Sequence, residues 1–325
     1  MHPLRSKKPY ALLRYLKYLF GALALVVTVN LLCLPLLLRY VQPQLLYRPH
    51  RSRQQDFAKA FATQAQGLLN DYSYQRIEVQ GQVGHLLRYE ASGQLPQQLW
   101  VVWGGSAMGG SDWVSLLALW GAAGRQLQGH FLVLDYPGYG QSSGKPSPGS
   151  IRAGAHALVT ASLAQLPDCR GLSFFAHSLG TAAALDYARM LAEQAPEGLP
   201  ALRKVVLSAP FTSVAALAMH MAPWMPAWLA RLLCRHDWDS RANLAALLVR
   251  NTVVEVTIVH GPQDALVPLA MGKALAALDS ARITLLTPDV THNGLLDRHA
   301  LCAHLLAAER CSSACACSQV PKQSP

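Results

Sequence analysis

The chain has 325 residues, 51% of them hydrophobic, and 28 Lys and Arg against 18 Asp and Glu give a formal charge of +10. That length suits one large α/β domain plus a short extra segment and excludes two full enzyme domains. No repeat recurs at a fixed period, which excludes solenoids. With neither zinc-finger spacing nor an aromatic–basic RNA motif, the positive charge does not point to nucleic acid.

The cations gather around one apolar stretch. Arg5, Lys7, Lys8, Arg14 and Lys17 precede it; Arg39, Arg48, Arg51 and Arg53 follow it. Between them residues 18–38 carry no charge, and as a helix they would span about 30 Å, the hydrocarbon thickness of a bilayer. Asn30 and Pro35 are tolerable within such a helix. Tyr10, Tyr15, Tyr18 and Tyr40 suit its interfaces. The sequence after Leu38, Arg39–Tyr40–Val41–Gln42–Pro43, lacks the small residues of a signal-peptide cleavage site. Residues 1–43 therefore read as a retained single-pass membrane anchor. The shorter, more basic tail favours the N-terminus inside and the rest of the chain outside the cytoplasm.

Residues 44–74 read as a linker and an amphipathic helix. From there strand candidates fall at 76–80, 84–90, 98–103, 130–135, 172–177, 204–208, 253–260 and 282–286, the first two as a hairpin. Helical patterns at 111–127, 148–166, 179–193, 268–278 and 294–308 alternate with the rest. Near-continuous Val/Leu/Ile strands alternating with helices predict a mostly parallel eight-stranded sheet covered on both faces, within a domain spanning 75–308. Residues 211–248 break the alternation and carry Met219, Met221, Trp224, Met225, Trp228 and Trp238, with Pro223 and Pro226 among them. They read as an apolar cap above the strand ends, in which Met219, Met221, Trp224, Met225 and Trp228 bind substrate, or as a helical pair packed on the core. Cys169, Cys234 and Cys302 read as small hydrophobes. Cys311, Cys315 and Cys317 crowd a polar tail at 309–325, read as mobile, with a metal or lipid site as the alternative. The odd count of 7 Cys does not suit a disulfide framework.

The chemistry concentrates at three strand ends. The strand 172–177 runs through Ala176–His177–Ser178–Leu179–Gly180 into an Ala-rich helix. A serine at such a corner is lifted from the sheet at a helix N-terminus, and the Leu179 N–H faces an oxyanion formed there. Of the Gly-x-Ser-x-Gly pattern the last glycine is present, and Ala176 stands at the first. A serine hydroxyl needs a base, and in this order of elements an acid and then a histidine follow. Asp264 lies in the turn after the strand 253–260, and His292 in the loop after 282–286. Asp264 alone could merely cap the following helix. His299 and His304 lie inside the last helical pattern, His260 packs near the acid loop, and His177 is the variable position beside the serine. The loop Gly104–Gly105–Ser106–Ala107–Met108–Gly109–Gly110 lacks the Lys-Ser/Thr ending of a phosphate-binding loop. Its glycines let backbone amides approach a ligand, and the second oxyanion donor is assigned to the Ser106 N–H. No cofactor or metal is called for.

These residues resemble the α/β-hydrolase superfamily. The similarity extends to its membrane-anchored branch of protein depalmitoylases and lysophospholipid hydrolases. The stretch that carries it is Asp135–Tyr136–Pro137–Gly138–Tyr139–Gly140–Gln141–Ser142–Ser143–Gly144, with Gln44–Leu45–Leu46–Tyr47–Arg48–Pro49 and Pro210–Phe211–Thr212–Ser213. The match covers roughly residues 44–308. The resemblance implies the α/β-hydrolase fold, a triad at Ser178, Asp264 and His292, and an ester or thioester as substrate. Two departures stand out: Gly104–Gly105–Ser106 replaces the branch's His-Gly-Asn, and Pro137 its Arg. Amide hydrolysis by the same triad, or a non-catalytic binding role on this fold, remain alternatives.

Overall fold

The computed structural model describes residues 9–49, 54–65, 71–90, 97–122 and 129–306. The chain opens with α1 (Pro9–Leu46) and α2 (Gln54–Ala65), followed by the hairpin β1 (Tyr72–Val79) and β2 (Gln82–Tyr89). Strand and helix then alternate through β3 (Gln98–Trp103), α3 (Gly110–Ala122), β4 (His130–Leu134), α4 (Pro148–Leu163), β5 (Gly171–His177), α5 (Leu179–Gln194) and β6 (Leu202–Ser208). An insertion of α6 (Val214–Met221), α7 (Ala227–Leu233) and α8 (Ser240–Arg250) precedes β7 (Glu255–Val259), α9 (Leu269–Ala276), β8 (Ile283–Leu286) and α10 (His299–Leu306).

The eight strands form one sheet in the order β1-β2-β4-β3-β5-β6-β7-β8. β1 and β2 are antiparallel and the remainder parallel from β4 onward. Gln80 and Gly81, both at positive φ, make the two-residue turn that joins β1 to β2 in register. The alternation along β3 sorts the core: Leu99, Val101 and Trp103 face the layer holding α4, α5 and α8, while Trp100 and Val102 face α2, α3 and α10. Every residue of β5 is buried, as expected of a central strand covered on both faces. β5 lies between β3 and β6, so its C-terminal end emerges mid-sheet, where the crossovers on either side leave an open crevice.

Several expectations change. The last helix begins at His299, not near residue 294, because residues 292–297 form turns. Trp224, Trp228 and Met221 of the insertion are 75%, 68% and 69% exposed, so they cannot line an enclosed pocket, whereas Met219 and Met225 pack against the core. The apolar stretch 18–38 lies within α1, which continues to Leu46 and therefore past the boundary expected at residue 43. Its C-terminal end is tied to the insertion: Arg39 donates to the Leu232 carbonyl at 2.6 Å, and Gln42 exchanges hydrogen bonds with the His236 backbone. Among the described residues no helix is long and apolar enough to cross a membrane, so the expected span finds no support in the fold. The side chains at 9–12, 27, 30–32, 34 and 35 of α1, Tyr10 among them, lie outside the described residues, as do Arg5, Lys7, Lys8, Arg51, Arg53 and the tail with Cys311, Cys315 and Cys317. Cys169, Cys234 and Cys302 are buried free thiols.

Candidate active site

Ser178 joins β5 to α5 with φ 53° and ψ −120°, a left-handed backbone that costs a non-glycine residue of order 1–3 kcal/mol. Neighbouring contacts hold it there. Its N–H donates to Ser208 O at 2.9 Å, and its carbonyl accepts from both the amide and the hydroxyl of Thr181. Two residues on, a side chain at Gly180 would collide with the carbonyls of Trp103 and Gly104, so that position demands glycine. Ala176, fully buried, occupies the other small-residue position without displacing the corner. As the N-cap of α5 Ser178 makes no side-chain cap bond, which leaves its hydroxyl available to another partner.

That partner is His292, whose Nε2 lies 3.0 Å from Ser178 Oγ. Its Nδ1 lies 2.7 Å from Asp264 Oδ2. A carboxylate only accepts, so Nδ1 carries the proton and donates, and Nε2 is the acceptor facing the serine hydroxyl. The other Asp264 oxygen accepts from the amides of Leu266 and Val267 at 2.9 and 2.8 Å. Capping the turn and orienting the histidine are thus jobs of two different oxygens. Burial drives the Asp264 pKa up, but hydrogen bonds from His260 and His292 and from the Val267 amide outweigh it and hold the carboxyl well below its usual range. His260 Nε2 also donates to Val267 O at 2.8 Å, fixing the acid loop from beneath. His299 and His304 sit in α10 and take no part in this chain of bonds.

Across the corner lies the turn after β3. A Cβ on Gly105 would stand 3.6 Å from Ser178 Cβ and 3.4 Å from His177 Cδ2, so this loop passes directly against the serine. Leu179 is the first residue of α5, where an amide has no intrahelical acceptor and the helix dipole adds positive potential. Among the described residues no cluster of His, Cys, Asp or Glu is arranged to hold a metal ion.

Two sets of contacts at the site are not legible in the sequence, although the stretch Asp135–Gly144 itself stands out there. His177 bridges Ser208 Oγ at 2.9 Å and Asn293 Oδ1 at 3.1 Å, so the residue beside the serine braces the residue beside His292. Its placement next to Ser178 gave no signal, since the tie spans more than 100 residues of chain. The other set lies in the turn after β4, where Asp135 accepts from the Gly110 amide at 3.0 Å and the Gln141 amide at 3.0 Å and pairs with His85 at 3.1 Å.

Burial, reinforced by nearby His292, pushes the His177 pKa down to about 4, against the pull of the Asn293 bond. The folded value lies below the unfolded value of about 6.5, so the unfolded chain binds the extra proton between them. This contribution to stability is complete above about pH 6.5 and drains away as the pH falls toward 4. Melting temperatures between pH 7 and pH 4.5 should fall more steeply for the wild type than for His177→Gln. Parallel curves would contradict the assignment.

No protein-family model matches the chain. An uncharacterized protein of Mycobacterium tuberculosis is 34% identical over 164 residues, 50% of this chain and 52% of its own. Human ABHD12B is 27% identical over 180 residues, 50% of this chain and 48% of its own. These matches thus span about half the length of the curated relatives. Among solved structures, an esterase of Pyrococcus furiosus is similar over 80% of this chain and 97% of its own, with a TM-score of 0.55 at 13% identity. An alpha-beta hydrolase from Vibrio vulnificus is similar over 75% and 86%, with a TM-score of 0.56 at 14% identity. Together with the strand order, these likenesses identify the chain as a protein of the α/β-hydrolase fold.

Proposed function

We propose that the protein is a serine hydrolase that cleaves carboxylic esters or thioesters of apolar acyl groups through an acyl-enzyme on Ser178. The observation that carries the reading is the unbroken chain of hydrogen bonds from Ser178 Oγ through His292 to Asp264. Ser178 Oγ attacks the carbonyl carbon while its proton passes to His292 Nε2. The charge gathered on the carbonyl oxygen is met by the Leu179 N–H and by an amide of the Gly105–Ser106 segment. When the tetrahedral adduct collapses, His292 returns the proton to the departing alkoxide or thiolate. Water then attacks the acyl-enzyme with His292 again as base, and the carboxylic acid leaves. The depressed carboxyl of Asp264 keeps its charge throughout and favours the imidazolium formed in each half.

Ser178→Ala should abolish labelling by a fluorophosphonate probe and lower kcat for p-nitrophenyl esters by about 10⁴–10⁶. Undiminished labelling of that variant would end the reading. Aminoacyl amides turned over faster than esters would favour the amidase alternative.

The reading also includes attachment to an anionic lipid surface through α1 and the insertion. Leu19, Phe20, Leu25, Leu36 and Leu37 of α1 are exposed, as are Trp224 and Trp228. Residues 1–55 contain no Asp or Glu. Apolar side chains flanked by cations without carboxylates suit a bilayer bearing acidic headgroups. The full chain should cosediment with phosphatidylserine-containing vesicles more than with phosphatidylcholine alone, and less in high salt. Failure to sediment with either would remove the lipid reading and leave the hydrolase reading intact.

A further inference from the structure

The turn after β4 reaches across the sheet to the loop that passes the nucleophile. Tyr136 Oη donates to Gly104 O at 2.9 Å, and Tyr139 Oη donates to Ser106 O at 2.7 Å. Between them the Gly105 carbonyl accepts from the Met108 amide at 3.3 Å. Three consecutive carbonyls of a glycine-rich loop are therefore each held. Ser106 O takes a second bond from the Arg48 amide at 2.9 Å, and that amide also approaches Tyr139 Oη at 3.0 Å. The far end of the loop is held as well, since the Gly110 amide donates to Asp135, one residue before Tyr136.

A carbonyl and the following N–H belong to one planar trans unit and point in opposite directions. Holding Gly104 O therefore aims the Gly105 N–H, and holding Gly105 O aims the Ser106 N–H. Without such ties Gly104 and Gly105 would spread over a wide range of backbone conformations. Both tyrosines are buried among aromatic neighbours: Tyr136 against Trp103, and the two rings against each other at 5.5 Å. Their hydroxyls are kept protonated by burial, with the Tyr139 pKa pushed up to about 12, so they act as donors around neutral pH.

We infer that Tyr136 and Tyr139 are positioning residues for the oxyanion site: their hydroxyls lock the carbonyls of Gly104 and Ser106 so that the intervening amides stay aimed at the corner where Ser178 reacts. The inference rests on the hydrolase reading for its kinetic consequence, while the clamp itself is a property of the resting protein.

The test uses Tyr136→Phe, Tyr139→Phe and the double variant, with Tyr187→Phe as a control. Tyr187 is also buried; its ring packs on Trp103 at 5.6 Å, a contact phenylalanine keeps, and its hydroxyl meets His156 of α4 instead of a loop carbonyl. Hydrogen exchange of the peptide spanning residues 104–108 should speed up at least about fivefold in the double variant and stay unchanged in the control. In p-nitrophenyl ester hydrolysis, normalised to sites titrated by fluorophosphonate, kcat should fall at least about tenfold in the double variant with KM within about twofold. That loss falls short of the 10²–10³ that follows removal of an oxyanion donor outright. Binding of a trifluoromethyl ketone, which mimics the tetrahedral adduct, should weaken by the same factor as kcat/KM. Unchanged loop exchange overturns the clamp whether or not the wild type hydrolyses esters. Faster exchange with unchanged kcat per titrated site overturns its catalytic role. A wild type inert toward probe and ester, with exchange that responds to the variants, would instead overturn the hydrolase reading and leave the clamp standing.

Discussion

Between β5 and α5 the backbone at Ser178 sits in a region that side chains disfavour, and every proposed step of the chemistry depends on its staying there. The strain is local, whereas its compensation is distributed. β5 is the buried strand between β3 and β6, and its ladder ends at the residue before the serine. Small residues follow on α5, from Gly180 to Ala184, so the helix start can lie against the Trp103 and Gly104 carbonyls. Relaxing the corner would require the helix to withdraw from the sheet and expose apolar surface. At roughly 25 cal/mol per Å² this costs more than the strain it relieves once a few side chains are uncovered.

Around that corner the polar groups fall into three ties that join distant parts of the chain. His292 connects the loop after β8 to the acid turn after β7 and to the serine. His177 connects the end of β5 to Ser208 at the end of β6 and to Asn293. Asp135, Tyr136 and Tyr139 connect the end of β4 to the loop after β3, and the Arg48 amide brings in the segment that leaves α1. All converge on the carboxyl ends of parallel strands, where the strands diverge into loops and buried hydrogen-bonding groups would otherwise lack partners. The end of α1 is thus one short segment away from the loop after β3.

The parts legible in the sequence are those with local periodicity. Fully buried strands such as 98–103 and 172–177 announce themselves as continuous apolar runs, and the structure places them within a residue of where they are read. Ser178, Asp264 and His292 could be picked out because each follows a strand end in a fixed order. The last helix was read five residues too early, since Gly294, Leu295 and Leu296 continue an apolar pattern while the backbone is still turning. Met221, Trp224 and Trp228 looked like pocket residues because composition does not say which way a short helix faces. The stretch Asp135–Gly144 stands out as a motif, but the partners of Asp135, Tyr136, Tyr139 and His177 have no local signature. Those partners lie tens of residues away, and nothing in a tyrosine's immediate neighbours says which carbonyl it will meet.

The central claim is geometric: one hydroxyl, one imidazole and a fixed pair of amides surround a single reacting atom. A crystal structure of the protein after reaction with a fluorophosphonate tests it most directly. The account predicts phosphorus bonded to Ser178 Oγ, with the phosphoryl oxygen within about 3.1 Å of the Leu179 nitrogen and of an amide nitrogen in the Gly105–Ser106 segment. A phosphoryl oxygen turned to solvent, or phosphorus on any other residue, would contradict it.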